Sequence, residues 1–155
     1  MRTLLKSTLF VIATGLLTGA CADNEHEPLD ASNETSVHLT HLDDSKHVTL
    51  DIDTPLSVQL ESVPTAGYTW MVLEKPDWLT LEEDIDITAT DPENQSKPGF
   101  TGGNHYITLH FSADQPSEGK LVLIEGRQWE VFDEQGDVKD EGAIEDRFSI
   151  RITAQ

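Results

Sequence analysis

Ile107-Thr108-Leu109-His110-Phe111 alternates large apolar and polar side chains, and the same period of two runs through Leu56-Ser57-Val58-Gln59-Leu60 and Phe148-Ser149-Ile150-Arg151-Ile152. Successive side chains of an extended backbone point to opposite faces, so each stretch presents one apolar and one wet face and reads as a half-buried strand. Working outward, residues 47–52, 68–73, 85–90 and 120–125 are further strand candidates, bounded by turn residues. No long segment shows sustained helical spacing. From Val37 onward the chain therefore predicts one all-β domain, an antiparallel β-sandwich of about seven or eight short strands.

Three turn-rich stretches interrupt this pattern: Val63-Pro64-Thr65-Ala66-Gly67-Tyr68-Thr69-Trp70, Gly99-Phe100-Thr101-Gly102-Gly103 and Gly126-Arg127-Gln128-Trp129. Proline presets φ and glycine opens positive φ, so they read as loops. Each also sets an aromatic ring or an arginine beside its turn, the side chains that dominate interfaces, where a merely connective turn would carry Ser, Asn or Asp. Loops of a sandwich collect at its ends, so stretches distant in sequence can share one edge. The pattern is that of a binding edge rather than a catalytic cleft. Trp70, at the start of a strand, reads as core, and Trp78, between Pro76-Asp77 and Leu79, as a plug at the sandwich edge. Tyr68 stands between loop support and contact. Trp129 is the strongest contact candidate, although strand alternation would put Trp129 and Val131 together on one buried face.

The three stretches, in this order and spacing, resemble the chagasin-type inhibitors of papain-like cysteine peptidases, whose loops read Asn-Pro-Thr-Thr-Gly-aromatic-x-Trp, Gly-x-x-Gly and Arg-Pro-Trp. The match covers the chain from about Val37, with departures at Val63 for Asn, Ala66 for the second Thr, Gln128 for Pro, and Glu130 after the Trp. The resemblance implies an immunoglobulin-like topology, a papain-like cysteine peptidase as partner, and no cofactor or catalytic residue. It places Pro64, Thr65, Ala66, Gly67 and Tyr68 in a central finger over the catalytic cysteine of the peptidase. Gly99, Phe100, Thr101, Gly102 and Gly103 would flank the cleft and lend backbone hydrogen bonds. Arg127, Gln128 and Trp129 would grip the other side, Trp129 by stacking and Arg127 by charged hydrogen bonds. Inhibition would be non-covalent, steric and reversible. The four departures leave an alternative open: an envelope-anchored module that binds another protein on the same scaffold without inhibiting a peptidase.

At the other end of the chain, Arg2 and Lys6 precede the apolar run 9–17 and then Thr18-Gly19-Ala20-Cys21. This reads as a secretory signal peptide over residues 1–20, and the run is too short to span a bilayer. Small residues directly before a cysteine resemble the bacterial lipobox, which implies lipid on Cys21 and attachment to a membrane of the cell envelope, outer or periplasm-facing. Residues 21–36 are polar and acidic without apolar period, a tether between that anchor and the folded domain 37–155. Cys21 is the single cysteine, so no intramolecular disulfide can form and the core must stand on packing.

Net charge is −19, and loss of Arg2 and Lys6 with residues 1–20 takes it to −21. Nucleic acid is thereby excluded as a partner, and a membrane would be held by lipid rather than by a basic patch. A monomer is expected. His38, His41 and His47 lie near Asp43 and Asp44, but their spacing fits no helical or hairpin ligand pattern, and no metal is expected. Neither a Gly-x-Ser-x-Gly elbow nor a local Ser/His/Asp set suggests nucleophilic catalysis, so no enzyme activity is expected.

Overall fold

The computed structural model describes residues 36–155; Cys21, the signal segment 1–20 and residues 21–35 of the expected tether lie outside the described residues. Eight strands occur among the described residues: β1 (Val37–Thr40), β2 (His47–Leu50), β3 (Leu56–Ser62), β4 (Thr69–Glu74), β5 (Leu79–Ala89), β6 (His105–Ala113), β7 (Ser117–Gly126) and β8 (Ile144–Ala154). They form two four-stranded sheets, in the orders β1-β3-β6-β5 and β2-β8-β7-β4. The all-β sandwich expected from the period-two stretches is what the chain builds.

The alternating residues fill the space between the sheets. Leu56, Val58 and Leu60 of β3, Ile107, Leu109 and Phe111 of β6, Leu121 and Leu123 of β7, and Phe148, Ile150 and Ile152 of β8 are all buried in one apolar cluster. Trp70 belongs to the same cluster, as the sequence predicts, and so does Trp78, which the sequence reading sets at the sandwich edge. Burying each large apolar side chain is worth about 1.5–3 kcal/mol, and here that packing replaces the missing disulfide.

The antiparallel expectation holds for β3 with β6, β6 with β5, β4 with β7, and β7 with β8. The two N-terminal strands differ. β1 runs parallel to β3, and β2 parallel to β8. The 3-10 turn His41–Asp43 lies between them; β1 runs with β3 towards the end where β8 begins, and β2 runs with β8 away from it, so the chain reverses direction as it crosses from one sheet to the other. That turn is closed by a capping box, in which Asp43 accepts from the Thr40 backbone N–H at 2.9 Å and the Thr40 side chain accepts from Leu42. The hydrogen bond from Thr40, and Lys46 at 3.0 Å, hold the Asp43 carboxyl below the usual range. His38 and His47 each pair with a hydroxyl on the neighbouring strand, Ser57 and Thr153 respectively, both at 2.8 Å.

Candidate functional site

Strand register brings the three loops to one end. Ser62, the last residue of β3, pairs with His105, the first of β6, and His105 pairs with Ala89, the last of β5. In the other sheet Thr69, the first of β4, pairs with Gly126, the last of β7, which pairs with Ile144 at the start of β8. The β3–β4, β5–β6 and β7–β8 connections therefore leave the sandwich side by side. These carry residues 63–68, 90–104 and 127–143.

The first loop is a 3-10 turn, Pro64–Ala66, closed by Ala66 N–H and Gly67 N–H donating to the carbonyls of Val63 and Pro64 at 2.9 Å. Gly67 ends it at φ +86°, in the left-handed region where side chains are disfavoured. A Cβ there would also fall on the Trp129 ring. Trp129 thus lies over the glycine while remaining 61% exposed. Arg127 ties the third loop to the first from below: its Nε donates to the Ala66 carbonyl at 3.0 Å, its Nη1 pairs with Glu130 at 3.1 Å, and its guanidinium sits 4.5 Å over the Tyr68 ring. On the other flank, a Cβ at Gly102 would meet Thr65 Oγ1 at 3.8 Å. The first loop is the central one of the three.

Arg127 and Tyr68 turn inward, towards each other and the loop backbone, whereas the sequence reading gave Arg127 charged hydrogen bonds to a partner. Thr65, Ala66, Thr101, Gly102 and Gln128 are exposed, as are the rings of Phe100 and Trp129, and Pro64 and Gly103 are half-buried. Gln128 opens a single helical turn, α2 (Gln128–Val131), rather than an irregular loop. The turn resolves the competing readings of Trp129. Residues two apart share a face in a strand but lie about 200° apart on a helix, so Val131 is fully buried and Trp129 faces out. Val131 fits against Gly126, where a Cβ would meet its Cγ2 at 2.7 Å.

Phe100 and the glycines of the second loop follow another one-turn helix, α1 (Pro92–Gln95). Asp91 caps it, accepting from Asn94, and those hydrogen bonds lower its pKa. Gln95 Nε2 then reaches the Asn104 carbonyl at 2.9 Å and braces the loop across its base. Gln95 and Asn104 escaped the sequence reading, as did the pairing of Glu130 with Arg127. The i, i+3 spacing of Arg127 and Glu130 was the one available signal. The Lys139 ammonium, bonded to the Trp129 carbonyl, left no local trace.

Beneath the loops, Ser62 donates to Glu125 at 2.6 Å across the gap between the sheets, and the Trp70 indole N–H donates to the Glu61 carbonyl at 2.9 Å. Burial, reinforced by Asp146, Glu145 and Glu61, pushes the Glu125 carboxyl above its usual range against the lowering effect of Ser62.

Among solved structures, the chain is similar to the cysteine protease inhibitor EhICP2 from Entamoeba histolytica, with TM-score 0.60, 17% identity, and coverage of 77% of this chain and 95% of that one. It is likewise similar to the solution structure of Amebosin, with TM-score 0.56, 21% identity, and coverage of 78% and 99%. At these identities the likeness establishes the fold. A comparison with curated protein sequences finds no match. The sequence pattern of the chagasin family peptidase inhibitor I42 matches residues 49–149. That span runs from β2 into β8 and contains all three loops. The chain therefore belongs to the chagasin family of peptidase inhibitors, a family of inhibitors and not of enzymes.

Proposed function

We propose that this chain inhibits papain-like cysteine peptidases reversibly and without a covalent bond, by laying the three-loop edge across the active-site cleft. The observation that carries the reading is the seating of exposed Trp129 over Gly67, with Arg127 bonded to the Ala66 carbonyl, which joins the first and third loops into one wedge. A wedge already ordered before binding surrenders little conformational entropy on association. Thr65, Ala66 and Gly67 are small enough for their backbone to enter a narrow cleft. Their backbone is wound in a 3-10 turn, so no extended peptide is offered to the thiolate and the inhibitor is not cut. Phe100, Thr101, Gly102 and Gly103 flank the wedge on one side and Gln128 with Trp129 on the other. Arg127 and Tyr68 act as positioning residues.

The four departures from the family pattern fit this geometry. Ala66 contributes its carbonyl, which any residue supplies, and Val63 likewise accepts through its backbone. Gln128 occupies the first helical position, where proline is tolerated but not required. Glu130 pairs with Arg127. In the same reading, Cys21 carries lipid and residues 22–36 hold the domain off a membrane of the cell envelope. Radiolabelled palmitate should enter the wild-type protein and not a Cys21→Ser variant; equal labelling would remove the anchor from the proposal.

The test is inhibition of papain by the purified chain, with Trp129→Ala alongside. Truncation of a hot-spot aromatic costs about 2 kcal/mol or more, so the inhibition constant should rise at least about thirtyfold while rapid dilution restores full activity. A folded wild-type chain without effect at micromolar concentration would overturn the reading.

A further inference from the structure

We infer a second contact surface beside the wedge: the free edge of β4 and the groove next to it, which accept an extended, basic segment of the peptidase. The inference rests on the inhibitor reading and extends its interface. β4 ends its sheet and pairs only with β7. Among the described residues no loop backbone group bonds to Thr69–Glu74, so one side of the strand keeps donors and acceptors for an added strand. A groove of about 900 Å³ runs there, walled by Met71, Val72, Trp129 and Phe132. Met71 and Val72 point to opposite faces of β4, so a groove that touches both must pass along the outer edge of the strand.

Charge complementarity and continuity with Trp129 name the occupant. Asp133 and Glu134 stand exposed on the lip of the groove. Lys139, the only cation among the described residues that line it, is already bonded to the Trp129 carbonyl. Asp133 accepts from the Gln135 and Asp137 backbone N–H groups at 2.9 Å and so shapes the lip, whereas Glu134 is the carboxylate left to meet an incoming Lys or Arg. Trp129 lines the groove and caps the wedge, so a peptidase gripped by the wedge brings its cleft rim to the β4 edge.

The experiment is hydrogen exchange on the full chain, free and bound to papain, joined to inhibition by Glu134→Lys and, as a charge control at the start of β7, Glu118→Lys. The expected result is slowing by at least about tenfold in the complex of those amides between Thr69 and Glu74 that face away from β7, with association slowed about threefold or more at low salt by Glu134→Lys and unchanged by Glu118→Lys. A complex that forms through the wedge but leaves these amides unprotected, or equal effects of the two charge reversals, would overturn the groove and spare the inhibitor reading. Absence of any complex would overturn both.

Discussion

Gly67 carries two constraints that no other residue type meets together: a left-handed φ of +86° and a Trp129 ring where a Cβ would stand. A side chain in that backbone region costs about 1–2 kcal/mol. In Gly67→Ala the ring must also move, which separates the first loop from the third. Its effect should therefore fall mainly on inhibition: the inhibition constant of papain should rise at least about tenfold, with a red shift of tryptophan emission as Trp129 leaves its seat. Wild-type inhibition by this variant would show that the wedge works without the Trp129–Gly67 contact. Arg127 bears on the same contact from the other side, because the bond to the Ala66 carbonyl fixes a backbone atom rather than a side chain. That explains how residue 66 can vary without loosening the loop.

At the scale of elements, β3, β4 and β7 meet under the loops in two polar contacts between the sheets, Ser62 to Glu125 and the Trp70 indole to the Glu61 carbonyl. The raised pKa of Glu125 means that the folded domain binds this proton more tightly than the unfolded chain does. Stability from this group is fully present below the ordinary glutamate range and is lost as pH rises through the elevated folded value. Glu125→Gln keeps an acceptor for Ser62 and removes the charge. It should be more stable than wild type near neutral pH, by less than about 1 kcal/mol because the half-exposed carboxylate is screened, and the two should converge as pH falls below the glutamate range. Urea unfolding across pH measures this; a gap that widens on acidification would contradict it. Strand periodicity made β3, β6 and β8 legible because one face of each is buried and the other is wet. It missed the parallel pairing of β1 and β2, since four-residue edge strands carry no signal of direction. α2 was equally invisible: a four-residue helix has no propensity of its own to read and is held by Val131 against Gly126, a tertiary contact. The loop turns were readable from Pro64, Gly67, Gly99 and Gly102, but the side-chain bonds that brace them, from Gln95, Arg127 and Lys139, join residues 9, 61 and 10 positions apart, beyond the reach of any local pattern.

Across the whole molecule, 29 acidic residues face 10 basic ones, and the acids gather in stretches rather than pairing. Glu82, Glu83, Asp84 and Asp86 lie along β5, an edge strand that also exposes Ile85 and Ile87. Charge on such an edge opposes pairing with a second copy, at the expense of repulsion within the fold. The ion pairs Lys46–Asp43 and Arg127–Glu130 are at the surface and offset little of that repulsion. Sodium chloride should therefore stabilise the domain. Screening acts over about 10 Å at 0.1 M and about 3 Å at 1 M, so most of the long-range repulsion present at 10 mM is gone by 0.5 M. If that relief is about 1 kcal/mol, Tm should rise by about 4 °C over this range, with no response to reductant because the chain holds a single cysteine. Thermal unfolding of the full chain in the two salt concentrations decides it. A flat or falling Tm would mean that local ion pairs, which salt weakens, outweigh the net charge.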